Sequence, residues 1–164
     1  MDCYLMSFDV KAARKDGKKM TAVDLLIERF SRLIHAEFRF SYRHNGISFS
    51  STMAGDDNGT RFKQIEYSHP NRWVPLILPM TNKTEDRAWD KANEIVGKPY
   101  DFVGVSARAT GLGLIKPAGG AYWCNKTCAE LIKAAYGYGD DFVPDSGLPD
   151  DLFFDMLRRL HGDD

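Results

Sequence analysis

The chain has 164 residues, of which 43% are hydrophobic and 27% charged, and its formal net charge is -1. These values are typical of one ordinary globular domain, and the near-zero net charge creates no long-range field that would attract nucleic acid or an anionic membrane. We therefore expect a single domain over residues 1–164, with neither nucleic acid nor a membrane as its partner.

Targeting segments, disulfides and metal sites are not predicted either. No apolar run reaches the roughly 18 to 20 residues of a membrane-spanning helix, and the first ten residues, MDCYLMSFDV, lack the basic start of a secretory signal. The three cysteines are an odd number without a CxxC pair, which favours free thiols in a reducing cytoplasm. The four histidines, at positions 35, 44, 69 and 161, lack metal-site spacing, so no metal site is expected.

Alternating polarity and turn signals predict the first elements of the chain. A short strand is expected over residues 4–10, a loop over residues 11–19, and a helix that begins near Thr21. The apolar residues of that helix recur at the spacing of one buried face: Val23, Leu26, Ile27, Phe30 and Leu33.

At residue 35 the period changes from about 3.6 to 2, which predicts a strand over residues 35–43. The Asn45-Gly46 pair is a strong hairpin signal, because both residues tolerate the positive φ of tight turns. The return strand, over residues 47–52, carries Ser48 and Ser50 on its polar face. The first strand has an apolar face of Ala36, Phe38, Phe40 and Tyr42 and a polar face of His35, Glu37 and Arg39.

The second half of the sequence predicts further strands, followed by helices. Thr84 is expected to cap a helix that Gly97 ends. The remaining expectations are a flexible turn over 54–60, strands over 61–67 and 73–78, a segment over 99–105, a Gly- and Ala-rich loop over 106–120, and helices over 124–136 and 152–160. These elements predict the α+β class, with an antiparallel sheet and packed helices.

Cys124 lies at the start of a predicted helix, which is a favourable position for a cysteine nucleophile. The unpaired N–H groups and the positive end of the helix dipole stabilise a thiolate there, and the N–H of Cys124 itself is a candidate donor to an oxyanion. The alternative interpretation is a core position, since free cysteine often fills cores. Cys128, one turn further on, is an alternative nucleophile, but it shares an apolar stripe with Leu131 and Ile132.

A thiol nucleophile also needs an imidazole and commonly a polar group that orients it. His35 is the best candidate base, because it lies on the polar face of a strand, whereas the other histidines lie in loops or near the C-terminus. Glu37 is on the same face and is a candidate orienting group, with Ser48 and Ser50 as alternatives. Tyr100 is a candidate cleft residue or, equally, a packed ring.

Six segments follow one another in a recognisable order: IHAEFRF (34–40), GISFSS (46–51), TRFKQIEY (60–67), RWVPLILP (72–79), GKPYDFVG (97–104) and YWCNKTCAELI (122–132). Together they resemble the circularly permuted branch of the NlpC-type cell-wall cysteine peptidases, especially members from bacteriophage tail modules. The resemblance spans residues 21–136 and implies a permuted papain-like fold in which the histidine precedes the cysteine. It implies Cys124 as nucleophile, His35 as base, Glu37 or a serine of the return strand as third member, and Tyr100 as a tyrosine near the site.

The residues after the nucleophile depart from the family. Asn125 and Lys126 follow Cys124 where the family usually has Ser-Glu, and an alternative register aligns Cys128-Ala-Glu-Leu with its Cys-Ser-Glu-Leu. Cys124 is preferred because it begins the helix, whereas Cys128 would lie a full turn from the dipole end.

The resemblance implies a thiol peptidase or amidase that cleaves the peptide stems of bacterial peptidoglycan. The implied setting is a phage tail tip in the virion, or the host cytoplasm before assembly, with other tail-tip proteins as further partners. One alternative is an inactive structural or adaptor protein of the tail tip that keeps the fold, which the Asn125-Lys126 departure favours. Another is acyl transfer to or from a lipid, as in lecithin–retinol-acyltransferase-like relatives, although the sequence lacks an amphipathic membrane-binding segment.

Overall fold

The computed structural model describes residues 2–20, 24, 25, 28, 31–53, 58–109, 120–139, 142 and 148–162. Its strands are β1 (Asp2–Asp9), β2 (Leu33–Arg39), β3 (Ser48–Thr52), β4 (Gly59–Lys63) and β5 (Trp73–Pro79). Its helices are α1 (Val10–Lys15), α2 (Asn82–Ile95), α3 (Phe102–Ala109), α4 (Cys124–Tyr136) and α5 (Pro149–His161). The strands form one five-stranded antiparallel sheet in the order β4-β3-β2-β1-β5, so the α+β prediction is confirmed.

The main core lies between this sheet and the helices that pack on it. Helix α4 packs against β2 and β3, α2 packs against α4, and α5 contacts β1 and β2. Burial of apolar surface is the dominant favourable term for such a layered domain. The central side chains are fully or almost fully buried: Leu5, Phe38, Phe40, Phe49, Leu78, Leu131 and Ile132.

The hairpin and α4 were predicted well. Asn45 and Gly46 have φ values of 56° and 61°, the left-handed conformation that their sequence favours. Phe38 pairs with Phe49 across β2 and β3. The apolar residues of both strands therefore lie on the same face of the sheet, as the alternation predicted. Helix α4 occupies the predicted range, and Gly137, with φ 71°, ends it.

The prediction of a loop over residues 11–19 was wrong for residues 11–15, because α1 occupies Val10–Lys15, and was confirmed for residues 16–19. The Ala12 N–H donates to the Asp9 carboxylate at 3.0 Å, which caps the helix. Val10 and Ala13 are both completely buried. A helix of six residues offers too few apolar positions for periodicity to reveal it.

Two other expectations in the first half were wrong. Leu33, predicted to extend a helix, begins β2 instead, and the other apolar positions of that predicted helix lie outside the described residues. Tyr42, predicted on the buried face, is 83% exposed, because β2 ends at Arg39 and Tyr42 begins a single 3-10 turn. That turn breaks the alternation on which the prediction depended.

Several boundaries in the second half also differ. Thr81 caps α2, and Thr84, the third residue of the helix, completes the capping box with its hydroxyl accepting from the Thr81 N–H at 2.9 Å. Strand β4 runs over Gly59–Lys63 rather than 61–67. The predicted loop over 106–120 begins inside α3, and residues 110–119 and 54–57 lie outside the described residues. In the part of the chain that is described, no helix has the length and apolar character needed to cross a membrane.

The first turn of α5 holds the start of β2. The Asp150 carboxylate accepts from the Arg32 N–H at 2.8 Å and from the Leu33 N–H at 3.0 Å. These bonds join segments far apart in sequence and satisfy two amides next to the strand that carries His35.

Replacing Asp150 by alanine should therefore leave both amides without their acceptor. We expect the free energy of unfolding to fall by about 1–3 kcal/mol, the range for losing the acceptor of such bonds. The control is Asp86→Ala, which removes only an exposed ion pair with Arg43 and should cost clearly less. Urea denaturation followed by circular dichroism measures both, and equal losses would contradict the assignment.

Candidate active site

Cys124 is the first residue of α4, as predicted. Trp123, the residue before it, has extended backbone angles and makes no side-chain cap bond. The first amides of a helix have no acceptor within the helix, so the positive end of α4 lies at the thiol. Cys124 is only 3% exposed, yet it lines a cleft.

The chain that leads into Cys124 is held by backbone bonds of Tyr122. The Tyr122 N–H donates to the Pro99 carbonyl at 2.9 Å, and its carbonyl accepts from the Asp101 N–H at 3.1 Å. The same carbonyl accepts from the Ser51 hydroxyl at 2.7 Å. These bonds place Cys124 next to both β3 and the segment that contains Tyr100.

A close approach of α3 supports the same segment. Asp101 caps α3 by accepting from the Gly104 N–H at 2.7 Å. A Cβ on Gly104 would lie 2.8 Å from the Trp123 ring and 2.5 Å from the Asp101 carboxylate. Only glycine therefore allows α3 to pack this closely against the residue that precedes Cys124.

His35 lies on β2 beside Phe8 of β1, and 26% of its side chain is exposed. Its Nε2 lies 3.1 Å from Glu37 Oε1, and its ring and the Cys124 thiol line the same cleft. Burial opposes the charged imidazolium, but the charge and hydrogen bond of Cys124, together with those of Glu37, outweigh burial and raise the pKa of His35 to about 10. The ring is thus stabilised as an imidazolium at neutral pH.

Glu37 was predicted on a polar face, and that face is covered rather than open to solvent. Glu37 is 3% exposed and both of its oxygens have partners. Oε1 faces His35, while Oε2 accepts from the Tyr67 hydroxyl at 3.1 Å. Such pairing is what a buried carboxylate requires.

Tyr67 is a site residue that the sequence did not predict. It lies in the connection between β4 and β5, beyond the end of the strand in which it was predicted. Its hydroxyl also shares a 2.6 Å hydrogen bond with Ser48. Burial, reinforced by the charge of Glu37, raises the pKa of Tyr67, which keeps the hydroxyl protonated. Nothing in the local sequence signals this contact, because the partners are 30 and 19 residues away.

The predicted serines do not have the same role. Ser48 bonds Tyr67, whereas Ser50 donates to the Ala36 carbonyl at 2.6 Å and so ties neighbouring strands together. Glu37 is therefore the polar group placed against the His35 ring.

The cleft has a volume of about 390 Å³. Trp73 forms one wall, with its ring edge-on to His35 at 6.3 Å and to Phe8 at 5.1 Å. Burial, followed by the charges of Cys124, Asp101 and Asp24, raises the pKa of Tyr100, so its hydroxyl stays protonated. The lining residues are Phe8, Lys18, Lys19, Asp24, Ile34, His35, Glu37, Ser51, Thr52, Met53, Trp73, Tyr100 and Cys124.

Cys128, the alternative nucleophile, is fully buried in the main core. Burial raises the pKa of its thiol well above the ordinary value, and the charges of Cys124 and Glu37 raise it further. Cys3 is also fully buried, and burial raises its pKa to about 12. Of the three cysteines, all within the described residues, Cys124 is the one that lines the cleft.

The other histidines have different surroundings. His44 stacks on Trp89 with ring centroids 4.0 Å apart, His69 precedes a single 3-10 turn, and His161 ends α5. Among the described residues, no group of three or more His, Cys, Asp or Glu side chains is arranged to hold a metal ion.

No family model matches the chain, and neither a curated protein nor a solved structure matches it. The site combines a thiol at a helix N-terminus, an imidazole in the same cleft and a buried carboxylate that is hydrogen-bonded to this imidazole. These are the components that nucleophilic thiol catalysis uses.

The charge of Cys124 should be visible in the titration of His35. In the intact protein we expect the His35 pKa to be near 10. In Cys124→Ala we expect this pKa to fall, because Glu37 alone then opposes the lowering of the pKa by burial. Carbon-proton correlation spectra of the His35 ring between pH 5 and 11 measure both values. Cys128→Ala is the control and should leave the His35 titration unchanged; an unchanged titration in Cys124→Ala would contradict the pairing.

The three thiols should also differ in reactivity. With iodoacetamide at neutral pH, we expect Cys124 to be alkylated first and Cys128 and Cys3 only after unfolding, because their buried thiols stay protonated. His35→Ala should slow the reaction of Cys124. Peptide mapping by mass spectrometry identifies the modified residue, and prior labelling of Cys128 would overturn this ranking.

Proposed function

We propose that this protein is a cysteine peptidase or amidase with Cys124 as nucleophile and His35 as the acid–base group. The observation that carries the proposal is the convergence of Cys124, His35 and the buried Glu37 in one cleft. The three groups come from a helix N-terminus and a strand that are far apart in sequence.

The reaction follows from the charges of these groups. The Cys124 thiolate attacks the carbonyl carbon of an amide, and a tetrahedral oxyanion forms. The His35 imidazolium gives its proton to the leaving nitrogen, and the C–N bond breaks. The amine leaves, and the acyl group remains on Cys124 as a thioester. His35, now neutral, takes a proton from a water molecule as the water oxygen attacks the thioester carbon. The C–S bond then breaks, which releases the carboxylic acid and restores the Cys124 thiolate and the His35 imidazolium.

Two donors in the cleft are suited to the oxyanion. The Cys124 N–H lies at the positive end of α4, and the protonated Tyr100 hydroxyl lines the same cleft. Donors that are already oriented where negative charge develops contribute strongly to such reactions.

We propose a permuted papain-like fold of the NlpC type. Support comes from a helix that begins with the cysteine and packs on an antiparallel sheet that carries the histidine. The histidine strand precedes the cysteine helix along the chain, which is the order that the permuted family has.

The substrate that we propose is the peptide stem of bacterial peptidoglycan, on the basis of the family resemblance of residues 21–136. A cleft of about 390 Å³ is of the size that accepts a few residues of a peptide. The proposed setting is a phage tail tip in the virion, or the host cytoplasm before assembly, with other tail-tip proteins as further partners. Neither nucleic acid, a membrane nor a cofactor is part of the proposal.

The proposal predicts that the protein releases stem peptides from purified peptidoglycan and that Cys124→Ala lowers the rate on the order of 10³-fold or more, the scale for removing a nucleophile. Liquid chromatography with mass spectrometry of the soluble products measures the rate and identifies the bond that is cut.

Cys128→Ala is the matched control, since it removes a thiol from the same helix outside the cleft. It should retain activity, apart from any loss of stability. If Cys128→Ala alone lost activity while its folding was unchanged, Cys128 would be the nucleophile instead of Cys124. Equal product release by the intact protein and Cys124→Ala would reject the hydrolase and favour the inactive structural or adaptor role.

A further inference from the structure

Tyr67 is joined to the proposed catalytic groups by a directed chain of hydrogen bonds. A carboxylate accepts but cannot donate, so the Tyr67 proton points to Glu37 Oε2 across 3.1 Å. The Tyr67 oxygen is then the acceptor for the Ser48 hydroxyl at 2.6 Å. On the other side of the carboxylate, His35 donates to Oε1. The chain runs from Ser48 through Tyr67 to Glu37, where it meets the bond from His35.

The backbone of Tyr67 is held in a conformation that tyrosine rarely adopts. Its φ is 47°, in the left-handed region, and Asn45 is the other non-glycine residue there among those described. Asn45 lies in a hairpin turn, where its own sequence favours that conformation. Tyr67 has no such local reason, and the contacts of its side chain must hold it in place. Strain of this kind concentrates at functional sites.

The ring is fixed by its neighbours. Trp73 packs edge-on against it, with ring centroids 5.1 Å apart, and the Arg39 guanidinium lies 5.2 Å from its centroid. Trp73 also lines the cleft next to His35. The ring of Tyr67 is therefore held by Trp73, which borders the site, and by Arg39.

We infer that Tyr67 is a positioning residue that fixes the Glu37 carboxylate, and through it the His35 imidazole, by donating a hydrogen bond to Oε2. The inference rests on the proposed hydrolase function. Without the Tyr67 proton, one oxygen of a carboxylate that is 3% exposed loses its donor, and the carboxylate turns away from its present position. This change weakens its support of the imidazolium.

The test uses Tyr67→Phe, which removes one oxygen atom and keeps the ring. We expect kcat for peptidoglycan cleavage to fall by about 10- to 100-fold, the equivalent of one hydrogen bond to a charged group, with KM unchanged. We also expect the His35 pKa, read from the ring resonances, to fall below that of the intact protein.

The matched control is Tyr136→Phe, which removes a hydroxyl that donates to the Pro79 carbonyl at 3.1 Å outside the cleft. It should leave kcat and the His35 titration unchanged, and thermal unfolding of both variants shows whether they fold. A Tyr67→Phe variant that folds and keeps both the kcat and the His35 pKa of the intact protein overturns the inference and leaves the hydrolase intact.

The titration also separates the two proposals. If the intact protein and Cys124→Ala release equal amounts of peptide, the hydrolase fails, and the His35 pKa of Tyr67→Phe still decides the positioning role. A lowered pKa supports it, and an unchanged or raised pKa overturns it.

Discussion

The buried carboxylate of Glu37 is the constraint on which the site depends. A charge that is 3% exposed is stable only when both of its oxygens have donors, and these donors come from different parts of the chain. His35 approaches from the same strand at 3.1 Å, and Tyr67 approaches at the same distance from the connection between β4 and β5. Satisfying this charge therefore requires the sheet to carry His35 and the connection to fold back over it. The same requirement orients the imidazole toward Cys124.

The thiol and the imidazole are held by separate supports that meet at the cleft. On the sheet side, Asp150 accepts from the amides that precede His35. On the helix side, the backbone of Tyr122 is bonded to Pro99, Asp101 and Ser51 just before Cys124. Both supports use backbone groups, which must be hydrogen-bonded when they are buried. The relative placement of the two groups is thus set by the fold itself, as the proposed hydrolase would require.

Long or strongly marked elements were predictable from sequence, and short ones were not. The range of α4 could be read from its apolar stripe and the glycine that follows it, and the hairpin from Asn45-Gly46. Helix α1 was not predicted, because six residues are too few to show a helical periodicity. The prediction for Tyr42 was wrong because a 3-10 turn begins at this residue and ends the alternation of the strand. In each case the error lies where local signals are weaker than the tertiary contacts that decide the conformation.

The sequence by itself determined which chemical groups are available: a cysteine that begins a helix, and a histidine two residues before a glutamate on a strand. It determined them because helix starts and strand alternation are local properties. Only the tertiary structure decided that Cys124 lines a cleft while Cys128 is buried in the core, and that the face of Glu37 is covered rather than solvated. It alone brought Tyr67 to Glu37, since the approach of two segments 30 residues apart depends on how the whole sheet and its connections pack. The pKa of His35 likewise depends on the tertiary structure, because burial and the charge of a cysteine distant in sequence are properties of the folded chain.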